Sequence, residues 1–118
     1  MFLVPDFNPM LDERRPGRRR RVLLGGVVSP LDRGSSFSCM IRDIADGGAR
    51  LFGRGRIFPA EFHLIHLRNR IAYRSRVVWT RGPEVGVSFD RSFALGDISD
   101  PGLDHLTQLW LLHARTGA

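Results

Sequence analysis

Two stretches of this chain combine residue types and spacings that could do chemistry. The first is Arg14-Arg15-Pro16-Gly17-Arg18-Arg19-Arg20-Arg21, in which Arg14 with Arg18, and again Arg15 with Arg19, stand four positions apart. A guanidinium is planar and permanently charged, and its parallel N–H donors match a phosphate or the O6/N7 edge of guanine, which an ammonium cannot do. The second is Arg42-Asp43-Ile44-Ala45-Asp46-Gly47-Gly48-Ala49-Arg50-Leu51. Here Asp43 offers a carboxylate acceptor, and Gly48 either takes a positive φ or lets another group approach the backbone closely. Taken singly, the first stretch is a solvated tail or a nonspecific nucleic-acid anchor, and the second an ordinary Asp-Gly hairpin turn. Their spacing relative to one another favours an anion-binding site instead.

No other grouping competes. Glu13, Asp43, Asp46 and Glu61 are not paired as acid/base catalysis requires, and the chain carries no Ser/His/Asp order, Walker loop or dinucleotide fingerprint. His63 and His66 are three apart on a strand, hence on opposite faces, and Cys39 has no ligand partner near it, so no metal site is expected. The expectation is therefore a protein that is not an enzyme and holds no cofactor. Trp79 is read as strand packing, with stacking on a base as its second role.

The elements that must position these residues are short strands. Residues 1–21 hold three prolines and the arginine run, with little apolar material to pack, and are read as a flexible basic arm. Val22 to Pro30 is apolar and β-branched, with Gly25-Gly26 suggesting a bulge or bend. Phe37 to Ile44 alternates, placing Phe37, Cys39, Ile41 and Asp43 on one side. Asp46-Gly47-Gly48 is a tight turn into Ala49 to Phe52. Glu61 to Leu67 and Arg70 to Thr80 form a hairpin, the second arm setting Ile71, Tyr73, Ser75, Val77 and Trp79 on one side. Val85, Val87 and Phe89 are the inward side of a last strand. After Asp100-Pro101-Gly102, Leu103, Leu106, Leu109, Trp110 and Leu112 recur at helical spacing, predicting a helix over 103–115 that caps an open barrel end. A dimer contact or effector docking is the second role open to that helix.

The 118 residues suit one domain, divided as the arm 1–21, a barrel 22–92, and a linker with helix 93–118. Hydrophobic residues at 42% and charged residues at 25% exclude a disordered chain. The formal charge is +6, and all 18 basic residues are arginine, a bias that a GC-rich genome would also produce. A single cysteine excludes an intrachain disulfide and suits a reducing compartment. With no export signal or long apolar run, the expectation is a cytoplasmic protein without membrane insertion. A basic barrel of this kind could bind RNA or DNA, but its aromatics fall on core positions rather than between exposed arginines, which argues against specific nucleic-acid binding.

The two stretches together resemble the PilZ family of bacterial cyclic di-GMP receptor domains. That family carries an RxxxR motif before the first strand, met here in two registers, and a D/N-x-S-x-x-G motif, met by Asp43 and Gly48 but with Ala45 at the serine position. Arg76-Val77-Val78-Trp79 and Val85-Gly86-Val87-Ser88-Phe89 also look like the closing strands of such domains, so the resemblance covers roughly residues 13 to 90. It implies an all-β, roughly six-stranded antiparallel barrel with a basic N-terminal arm and a C-terminal helix. It also implies a ligand, cyclic di-GMP, held by Arg14, Arg15, Arg18, Arg19, Asp43, Ala45 and Gly48. The ordered arm or the helix would then signal to an effector protein, with homodimerisation open. The alternative it leaves is a degenerate PilZ-like adaptor that binds only protein.

Overall fold

The computed structural model describes residues 24–53, 55–97 and 99–117. The expected arm, 1–21, and with it Arg14, Arg15, Arg18 and Arg19, lies outside the described residues. Six strands follow in order: β1 (Leu24–Pro30), β2 (Phe37–Ala45), β3 (Gly48–Phe52), β4 (Glu61–His66), β5 (Ile71–Arg81) and β6 (Glu84–Ala94). They pair antiparallel in the order β1-β2-β3-β6-β5-β4 and close into a barrel, which leaves no sheet edge exposed. Two 3-10 turns, Leu95–Asp97 and Pro101–Leu103, lead to one helix, α1 (Asp104–Gly117). Among the described residues no helix is long and apolar enough to cross a membrane.

Strand alternation builds the interior. Val28, Phe37, Cys39, Ile41, Leu51, Phe62, Leu64, Val85 and Val87 are all buried in one cluster, with Tyr73, Val77 and Phe89 packed against it. Phe58, on the β3–β4 connection, packs edge-on to Phe37 and tilted onto Phe62, with centroids 5.4 and 5.9 Å away, and closes the end of the barrel where β1 and β3 terminate.

The helix has a different task from the expected one. Val27, Ile65, Ala72 and Phe93 lie in one cross-strand row, on the face opposite the interior row Val28, Leu64 and Tyr73. Leu106, fully buried, and Leu103, Leu109 and Trp110 pack on that outer row. α1 therefore covers the outside of a barrel wall rather than capping an open end. This is why β1 and β4 read as nearly continuous apolar runs: both faces are dry. The Trp110 Nε1–H donates to the Leu67 carbonyl at 2.8 Å, and the Arg70 guanidinium lies over the indole at 5.4 Å, fixing the helix to the β4–β5 turn.

Three further expectations change in detail. Gly25 and Gly26 sit in unbroken register with Met40 and Cys39, so β1 has no bulge; a Cβ on Gly26 would meet Ile41 and Cys39 at 3.1 to 3.2 Å, which is the packing reason for a glycine there. The last strand runs on to Ala94 because Ser92, Phe93 and Ala94 pair with Tyr73, Ala72 and Ile71. Asp43 does not share the interior side of β2 with Ile41, for the reason given next.

Candidate functional site

Ile41 is opposite Leu51 and Ile44 opposite Ala49, and all four belong to or pack on the interior cluster. Two interior residues three apart cannot both obey a period of two. The β2–β3 register shifts between Ile41 and Asp43, a bulge that sets both Arg42 and Asp43 against Arg50. Downstream of it, Asp43 and Ala45 fall on the outer face, with Arg50 and Gly48 as their ladder partners. A two-residue turn, Asp46-Gly47, joins Ala45 to Gly48, and the Gly47 carbonyl accepts from the Phe89 N–H at 2.9 Å.

A second bulge acts on β5. Val77 pairs with Val87 and packs inward, whereas Trp79 pairs with Gly86 after a register shift, so Trp79 turns outward instead of following Val77. Its indole lies on Gly86, where any Cβ would collide with the ring, and the Arg81 guanidinium stacks on it at 5.5 Å. The outer face thus carries two parallel rows across four strands. One row runs Asp43, Arg50, Gly86, Trp79, and the next Ala45, Gly48, Ser88, Arg76.

Gly48 is not in the positive-φ region; among the described glycines only Gly55 and Gly82 are. The close approach at Gly48 is that of a neighbouring strand: a Cβ there would run into the Val87 carbonyl oxygen. The residue is glycine so that β3 and β6 can pair.

Four charged side chains around Asp43 form one chain of contacts. Arg50 Nη2 lies 2.6 Å from Asp43 Oδ2, and its Nη1 lies 3.6 Å from Glu84, which Arg42 holds at 3.0 Å. Arg42 also rests on the Phe52 ring at 4.9 Å. Asp43 is buried and its carboxylate is oriented by Arg50. With two arginines against two carboxylates, this group carries no net charge.

Sequence reasoning named Asp43, Ala45, Gly48 and, in a secondary role, Trp79, and the fold brings these to one face. It missed Arg50, Glu84, Ser88 and Arg76 as neighbours. Arg50 had a signal: a two-residue turn at Asp46-Gly47 puts Arg50 directly across from Asp43. Glu84, Ser88 and Arg76 are joined to the site through β3–β6 pairing, between strands far apart in sequence, for which no local signal exists. The other titratable candidates lie away from this face. Burial pushes the Cys39 thiol up to about 12, so it is a core side chain rather than a thiolate. His63 faces the helix side beside Phe93, and burial, then Arg74 and His105, push it down to about 4.

The family model described as the PilZ domain matches residues 13–103 of the chain. No curated protein matches the chain.

Proposed function

Since this chain belongs to the PilZ domain family, whose members are cyclic di-GMP-binding modules, we propose that it is itself a cyclic di-GMP receptor using the outer face of β2, β3, β6 and β5. The observation that carries the reading is the β2 bulge, which turns Asp43 and Ala45 to the same outer face as Gly48 and sets Arg50 to orient the Asp43 carboxylate. In this reading Asp43 accepts from the guanine N1 and N2 donors. Trp79, seated against Gly86, offers its ring for base stacking once Arg81 moves off it. In this reading Arg14, Arg15, Arg18 and Arg19 bring positive charge to the two phosphates. Folding of that arm over the ligand creates the changed surface that an effector protein reads.

The second reading, a PilZ-like adaptor without ligand, is favoured by one feature, Ala45 in place of serine. The hydroxyl it lacks is worth about 1 kcal/mol, or roughly a factor of five in affinity, which weakens a site without abolishing it. Isothermal titration with cyclic di-GMP, and with cyclic di-AMP as control at moderate salt, separates the two. The expected result is micromolar or tighter binding of the guanine ligand alone, lost in Arg15→Ala/Arg19→Ala. A folded protein that gives no heat with either nucleotide is the adaptor.

A further inference from the structure

The row beside the motif residues ends in two polar side chains to which the motif assigns nothing. Ala45, Gly48, Ser88 and Arg76 follow one another across β2, β3, β6 and β5, and the first two contribute almost no side chain. A ligand lying against Ala45 and over the Gly48 backbone therefore meets Ser88 next and Arg76 after it. Arg76 is exposed and loosely held: its Nη2 is 3.4 Å from Ser88 Oγ, and its Nη1 is 3.4 Å from Asp90 Oδ1. A third bulge, at Asp90 in β6, sets that carboxylate beside it. Both contacts are long, and an exposed ion pair of this kind contributes little to stability.

The arginines of this wall differ in what they have left to give. Arg50 is engaged by Asp43 and Glu84, and Arg42 by Glu84 and the Phe52 ring. Arg76 has five N–H donors and two weak contacts, and it is held roughly in place by both. An arginine pre-positioned next to a hydroxyl is a phosphate clamp in waiting: two N–H donors from Arg76 and one O–H from Ser88 can converge on the oxygens of one phosphate.

We propose that Arg76 and Ser88 are ligand residues, binding a phosphate group of the cyclic dinucleotide at the β5–β6 side of the face and supplying there the polar contact that Ala45 does not make. This rests on the receptor reading above. The test is titration of cyclic di-GMP into the wild type, Arg76→Gln, Ser88→Ala and, as a control for general charge loss, Arg68→Gln, an exposed arginine on the β4–β5 turn. Matched thermal melts of all four check that each is folded. The assignment predicts that Arg76→Gln weakens binding about tenfold or more and Ser88→Ala about two- to fivefold, with Arg68→Gln unchanged. If the wild type binds and Arg76→Gln binds no more weakly than Arg68→Gln, this assignment is wrong while the receptor reading stands. A wild type that does not bind overturns both.

Discussion

The barrel has two outer walls built from the same kind of strand and finished in opposite ways. One, formed by β1, β4 and the paired ends of β5 and β6, is apolar and covered by α1 through Leu106, Leu103, Leu109 and Trp110. The other, formed by β2, β3 and the remainder of β6 and β5, is not covered by α1 and carries Asp43, Arg50, Glu84, Arg42, Trp79 and Arg76. The β1–β2, β1–β4 and β4–β5 ladders are in continuous register, whereas the bulges fall on β2–β3 and β5–β6. A wall packed on both faces is held in register, because one slip would exchange the side chains of two packed layers at once. The wall that α1 leaves uncovered accepts slips, and each slip re-aims a side chain: Asp43 and Trp79 face outward because of them. The lesson is that the site is made by departures from the strand period that the covered wall cannot accept.

The sharpest way to break this comparison is to truncate one apolar side chain on each wall. Leu106→Ala removes a fully buried side chain from the covered wall and should cost about 2–5 kcal/mol in urea denaturation. Val78→Ala, at an exposed position of the uncovered wall, should stay within about 0.5 kcal/mol. Equal costs would mean that the helix is not integral to the fold.

Acid should act on the covered wall next. His63 lies there, directly across from Ser29 and Arg74, with its pKa pushed from 6.5 down to about 4 by burial, then by Arg74 and His105. His66 and His105 are pushed down as well, burial again being the largest cause. A histidine with a depressed folded pKa binds its proton more readily in the unfolded chain. Its contribution is therefore intact above pH 6.5 and is lost as pH falls from 6.5 towards 4, by roughly 3 kcal/mol for His63. Denaturation midpoints at pH 7, 5.5 and 4.5 should fall in the wild type and fall less in His63→Asn. Parallel curves would remove His63 from the account.

The smallest expected effect sharpens the picture of the uncovered wall. Gly86→Ala places a methyl into the Trp79 indole, and overpacking of this kind costs about 1–3 kcal/mol. It should also alter tryptophan emission, because the ring must lift away from the strand. An unchanged stability and spectrum would show that Trp79 is not seated on Gly86.

What the sequence by itself determined is what local order can encode. Apolar alternation located all six strands, and helical spacing located α1. The motif residues Asp43, Ala45 and Gly48 were also legible, because they sit within a few positions of one another. Only the tertiary structure decided which way they face. A bulge is one extra residue against a partner strand, so the alternation of β2 read alone put Asp43 inside with Ile41, and that of β5 read alone grouped Trp79 with Val77. Only the paired strands show the slip. The same holds for Gly48, whose role depends on the Val87 carbonyl of β6, for Trp79 on Gly86, and for Ser88 and Arg76 in the row beyond Gly48. The covered wall was hidden too, since the spacing of Leu103, Leu106, Leu109 and Trp110 marks an apolar helix face but not the surface it meets. Periodicity is a property of one segment, whereas a face of a closed barrel is a property of four strands brought together from distant parts of the chain.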